Sequence, residues 1–309
     1  MKKQLLSAAC SAMLFQGSVA FAQDTAAPVE AATAAVATSA EAPSGPALWK
    51  LSDEDTTIYL FGTVHVLPRD VKWLGGTIEQ ALGSADTLVT EIPGNAITDP
   101  ASEMMIASKA MLGEDKTLRS FLGDDQRTSY ETAMAKLGVP VEAFDRFEPW
   151  FAGMTLAMLP LLKAGYDMES GVEKVIEREV PAETKRDALE TIGFQIDMLD
   201  TLPMESQVAF LMSSAANIDE VSVMMDKMVA EWMEGDADGL AALLNEGLTD
   251  PVLADALLYK RNANWAEWID DRMDAPGTLF IAVGAGHLAG EKSVQDYLTE
   301  RGFTIERVQ

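Results

Sequence analysis

Basic side chains are scarce in this chain, histidine is rare and cysteine is almost absent. The sequence has 23 Lys and Arg against 49 Asp and Glu over 309 residues, a formal net charge of −26. So acidic a surface repels nucleic acid and anionic lipid, and neither is an expected partner. The one cysteine, Cys10, lies near the N-terminus, which leaves the rest of the chain without a disulfide or a thiol nucleophile. There is no HExxH, no GxSxG elbow and no phosphate-binding P-loop, which removes those hydrolase and nucleotide classes. The apolar run over 150–162 is too short to span a bilayer and is interrupted by Pro160, so no integral membrane segment is expected past the leader.

Residues 1–22 read as that leader. Lys2 and Lys3 precede an apolar segment, and Ala20-Phe21-Ala22 forms a small-residue cleavage site. Export to the periplasm or the medium follows. Lipid attachment at Cys10 is disfavoured, because the segment before it is too short for a full apolar region. Residues 23–47, rich in Ala, Thr, Pro, Ser and Glu without a periodic apolar face, read as a linker. The folded domain is expected over 48–309.

Two strand-turn units carry the only histidines. Thr57-Ile58-Tyr59-Leu60-Phe61 is a β-rich run that breaks at Gly62 and reaches His65. A helix with Ile78, Ala81 and Leu82 on one face follows, then Leu88-Val89-Thr90 ending in Glu91. Near the C-terminus, 278–283 forms a second apolar run, followed by Gly284-Ala285-Gly286-His287 and a helix over about 291–301. An initial strand over 48–51 pairs with the first run as a hairpin. Between the units, about 100–274 reads as almost wholly helical, with Val221, Met224, Met225, Met228 and Trp232 forming one apolar stripe. The fold class is α/β: a central sheet built from N- and C-terminal βαβ-like units, flanked by helices, with a large helical insertion.

Groups placed after the carboxyl ends of parallel strands share one sheet edge. His65, His287 and Glu91 therefore form a candidate metal set, two imidazoles and a carboxylate with coordination positions left open. Arg261 falls with Leu258, Trp265 and Trp268 on one helix face. An arginine there requires an acidic partner or a bound anion, or else acts as a clamp for a carboxylate or oxyanion. Spacing singles out neither Glu173, after Gly171-Val172, nor Glu190, in Ala188-Leu189-Glu190-Thr191, from other helix-surface acids. Gly284-Ala285-Gly286 opens like a dinucleotide fingerprint, but Ala289 stands where its last glycine belongs.

Taken together, FGTVH at 61–65, VTE ending at Glu91, GVEK at 171–174, LET at 189–191 with Gln195, RNANWA at 261–266 and VGAGHLAG at 283–290 resemble the TraB/GumN family. That family includes PrgY-type pheromone shutdown proteins and the Tiki metalloproteases. The resemblance spans about 48–308. It implies a mixed sheet with flanking helices, related to erythromycin-esterase-like and ChaN-like proteins, and a divalent-metal hydrolase. His65, Glu91 and His287 would line the site with Arg261, and Glu173 and Glu190 would follow as further site carboxylates. The expected function is a periplasmic or secreted hydrolase using Mn, Co or Zn, with a peptide or small molecule as substrate. The alternative is a non-catalytic protein binding a peptide signal or haem in the same cleft.

Cleavage after Ala22 is open to a direct check. The intact mass of the exported protein should correspond to a chain beginning at Gln23; retention of Met1 or a lipid on Cys10 would refute the leader.

Overall fold

The computed structural model describes residues 45–247 and 251–309. The expected leader and most of the expected linker, residues 1–44, lie outside the described residues. Its last three residues, 45–47, pack on the C-terminus: Ala47 is buried and the Pro46 carbonyl accepts from Gln309 Nε2.

The strands are β1 (Leu48–Ser52), β2 (Thr56–Thr63), β3 (Leu67–Pro68), β4 (Thr87–Thr90), β5 (Tyr166–Asp167), β6 (Lys185–Ala188), β7 (Gly277–Gly284) and β8 (Glu306–Arg307). Six of them form a mixed sheet in the order β6-β4-β7-β2-β1-β8. The first four in that order, β6, β4, β7 and β2, run parallel, and β1 pairs antiparallel with β2 as the hairpin that the sequence predicts. The two apolar runs from opposite ends of the chain are direct neighbours, with Thr63 opposite Gly284.

Alternation along the strands builds a core on each face. Leu88, Phe61, Phe280 and Ala282 face the larger core, which the insertion helices cover. Ile58, Leu60, Val89, Leu279, Ile281 and Val283 face the other, covered by the helices Lys260–Met273 and Val294–Glu300. A third cluster lies within the insertion, among the helices Asp124–Lys136, Pro149–Lys163 and Met204–Ala216. The 150–162 run is a core helix here, with Trp150, Leu156 and Leu161 fully buried. Among the described residues no single helix is long and apolar enough to cross a membrane. The methionine stripe packs inward through Met225 and Met228.

The insertion departs from an all-helical reading in two places. Its β5 pairs with β3 beside the first histidine turn, and its β6 joins the main sheet at the edge next to β4. Three of the four β6 residues, Lys185, Arg186 and Asp187, are exposed, so no apolar alternation marks them as a strand. The C-terminal helix also starts later than expected, at Val294 behind a Ser293 cap. The alternating pattern over 303–308, which reads as a strand after that helix, contracts to β8.

The insertion is locked onto the first histidine turn at Gly171. The Val172 N–H donates to the Val64 carbonyl at 2.9 Å. A Cβ on Gly171 would lie 2.1 Å from the His65 carbonyl oxygen, an overlap that two backbones cannot absorb without separating. Gly171→Ala should destabilise the fold by about 2 kcal/mol or more, the range of overpacked core substitutions, read as a lowered urea midpoint. An unchanged midpoint would show that this contact is not fixed.

Candidate functional site

Parallel pairing brings four chain segments to one edge of the sheet. His65 follows β2, Glu91 follows β4, Glu190 follows β6 and His287 follows β7. The pairing of β4 and β6 runs past their ends, since Leu189 N donates to Thr90 O and Glu190 N to Glu91 O at 2.8 Å. That register sets Glu190 beside Glu91. His287 sits in a 3₁₀ turn over Ala285–Leu288 and is fully buried.

Arg261 approaches from the Lys260–Met273 helix. A π-helical turn over Asp255–Tyr259 precedes it and shifts the helix register. Leu257, rather than Leu258, consequently lies buried beneath the guanidinium, and its carbonyl accepts from Arg261 Nη1 at 3.0 Å. Nη2 donates to Glu91 Oε2 at 2.6 Å and to Glu190 Oε2 at 2.9 Å. Nε donates to Glu190 Oε1 at 2.8 Å, and Nη1 also meets His287 Nε2 at 3.0 Å. All five N–H donors of the guanidinium thus have acceptors. The acidic partner that the sequence required is a pair of carboxylates. Trp265, one turn on, stacks under Arg261, lies 4.3 Å from the His287 ring and donates its indole N–H to Glu190.

These contacts fix the His287 tautomer. Arginine can only donate, so Nε2 is the acceptor and Nδ1 carries the proton, donated to Asn262 Oδ1 at 2.5 Å. Burial, then the adjacent Arg261 charge, pushes the His287 pKa down to about 3, so its ring is neutral. For Glu91 burial acts to raise the pKa. The Arg261 charge overcomes it, with help from the Gly284 N–H at 2.7 Å, and the carboxyl falls to about 2. Gln195 Nε2 joins Glu91 to Glu190 at 3.1 and 2.9 Å.

His65 has a separate partner. Its Nδ1 donates to Glu173 Oε1 at 2.5 Å, and the Thr63 hydroxyl donates to the same oxygen. Burial works against the ionised Glu173, but His65 and Thr63 hold its pKa below the ordinary range. Glu173 reaches His65 only because Gly171 lies against the His65 backbone, so helical spacing could not have singled it out. The His65 Nε2 edge, Glu91 and His287 converge on Gly284. A Cβ there would lie 3.1 Å from Glu91 Oε1, 3.5 Å from His287 Cδ2 and 4.0 Å from His65 Nε2. Glycine leaves open the space these groups share.

A cleft opens at this point, lined by His65, Glu91, Glu173, Lys174 and Glu177. A wider groove continues from it past Lys174 and Glu177 to Arg186 and Glu190. The structure therefore brings all six predicted site residues to one place. Trp265 already shares the Arg261 helix face and Asn262 lies in the RNANWA motif, whereas no spacing marks Thr63 as a supporting residue.

The donor chemistry suits a divalent cation. Nδ1 of each histidine is held by another polar group, which turns the His65 Nε2 toward the shared space and leaves the His287 Nε2 on Arg261. Two carboxylates, Glu91 and Glu190, share a single guanidinium and a third, Glu173, is bound to His65, leaving a surplus of negative charge. One contact stands against binding through all three expected ligands, because Arg261 Nη1 takes the His287 nitrogen. Among the described residues no three His, Cys, Asp or Glu side chains are grouped as a ready-made metal site.

The lowered pKa values fix the sign of the pH response. A neutral buried His287 contributes stability that is full above pH 6.5 and is lost as pH falls toward about 3. Ionised Glu91 contributes stability that is full above 4.5 and is lost toward about 2. In EDTA, urea midpoints should fall between pH 6.5 and 4.5, with a slope approaching one proton, about 1.4 kcal/mol per pH unit. His287→Gln should flatten that upper window and leave the acid limb below it. A variant that kept the wild-type slope would place the titrating group elsewhere.

No match is found among curated proteins or among solved structures. The TraB/PrgY/gumN family matches over residues 47–307, a span that contains every strand, both histidine turns and the Arg261 helix, and on that match the chain belongs to the TraB/PrgY/gumN family.

Proposed function

We propose that the cleft is the active site of an exported hydrolase acting on a peptide or a related acyl compound. The observation that supports this most is the His65–Glu173 pair: a carboxylate fixes the Nδ1 proton, leaving Nε2 on the cleft side as the proton acceptor. An imidazole oriented in this way can take a proton from an attacking water and return it to the leaving group. Glu91, held ionised, faces the same space and can orient that water. Arg261 acts at one remove, because its five donors are used in positioning Glu91, Glu190 and His287.

A divalent ion, Mn, Co or Zn, belongs to this proposal. His65 Nε2 and Glu91 would hold it, with His287 joining if Arg261 gave up its Nε2; with the ion bound, His65 would serve as its ligand in place of the proton acceptor. When bound, the ion would polarise a carbonyl and acidify a water. The negative surplus of the cluster favours such an ion, and the imidazoles must be neutral to receive it.

Purified protein should cleave members of a peptide library, lose activity in EDTA and regain it with one of the three metals. His65→Ala should abolish turnover. Glu173→Gln should lower kcat by about 100-fold, the scale for losing the group that orients a catalytic or ligating histidine. Arg261→Lys, which keeps the charge but loses the planar fork, should also lose activity. Full activity of either His65→Ala or Glu173→Gln would overturn the assignment. A Soret band without turnover would favour the haem-binding alternative.

A further inference from the structure

Lys174 differs both from the ion-paired lysines of this acidic chain and from the exposed Lys72, Lys185 and Lys227, which are unpaired among the described residues. Lys50, Lys109, Lys136 and Lys260 each meet a carboxylate, at Glu306, Asp197, Asp219 and Asp255. Lys174 is half-buried and lines both the inner cleft and the outer groove. No carboxylate among the described residues pairs with it. The acids that line the inner cleft with it are already engaged. Glu91 is bound by Arg261, Glu173 by His65 and Thr63, and Glu177 by Arg186 at 3.3 Å. A partly desolvated ammonium beside three satisfied carboxylates is a position for an anion that arrives from outside. The chain offsets here the repulsion that its own net charge imposes on an anionic ligand.

We propose that Lys174 binds a carboxylate of the substrate, so that the preferred substrates carry an anionic group next to the bond presented to His65. The inference rests on the hydrolase reading of the cleft. Lys174 directly follows Glu173, the residue that orients His65, so the anion sits close to the reacting bond. Two sources share this chemistry: the free C-terminal carboxylate of a peptide and an acidic side chain within one.

Equilibrium binding to the full chain separates them. Three probes suffice: an N-acetylated apolar dipeptide with a free C-terminus, the same dipeptide as its amide, and an amidated dipeptide carrying one aspartate. At low salt at least one acidic probe should bind on the order of tenfold more tightly than the neutral amide, as expected for a hydrogen-bonded charge. Whichever acidic probe gains identifies the source. Lys174→Met should erase the preference without changing the affinity for the neutral amide, and Lys174→Arg should keep it. The proposal fails if wild type shows no acid preference, if it binds none of the probes, or if Lys174→Met retains the preference. Acid preference without turnover of any peptide would sink the hydrolase reading and leave the anion site standing. Turnover without acid preference would do the reverse.

Discussion

The guanidinium of Arg261 is the contact on which the architecture of this edge depends. It ties the ends of β4 and β6 through Glu91 and Glu190, and the turn after β7 through His287. Removing two carboxylates and an arginine from water carries a desolvation penalty that attraction offsets only when the geometry is matched. Here it is matched: five donors meet carboxylate, imidazole and carbonyl acceptors, while Gln195, Gly284 and Trp265 use the remaining carboxylate lone pairs. The result is a rigid polar wall behind the cleft. Its strand ends cannot shift singly, because each is bonded to the same planar group.

Division of labour between the two histidines follows from this wall. His287 is neutral, fully buried and held at both nitrogens, so it belongs to the scaffold of the site. His65 has its Nδ1 held by a carboxylate that the insertion supplies, and it lines the cleft. The sequence presents the two in nearly the same local motif. Their difference arises from what packs against each: a helix carrying Asn262 and Arg261 in one case, and the Gly171 turn carrying Glu173 in the other.

What the sequence could show depended on how far the cause lay along the chain. The strands β2, β4 and β7 were legible because buried parallel strands are continuous apolar runs, and the glycines beside them marked where each run stops. From that alone His65, Glu91 and His287 could be placed on one edge. Glu190 was not legible, since β6 is a polar edge strand whose residues look like surface helix or loop. Glu173 needed a backbone approach at Gly171 that no periodicity encodes. The face of Arg261 was read one residue out, because the π turn over Asp255–Tyr259 inserts a residue that a regular helical count omits. Arginine on an apolar stripe nonetheless showed correctly that a counter-charge had to be found.

The central position of β7 bears on how the molecule assembles. It lies between β4 and β2, yet it is formed from the last part of the chain, and its partners lie roughly two hundred residues earlier. Contacts of such long sequence separation slow folding and must wait for loop closure. Until residue 284 emerges from the ribosome, β2 and β4 have no strand between them and Glu91 has neither the Gly284 N–H nor Arg261 beside it. A nascent or unfolded precursor therefore carries all the site's amino-terminal groups without a site. The cluster of polar groups at this edge closes only when β7 docks between β4 and β2, as the last inner strand of the sheet to be made.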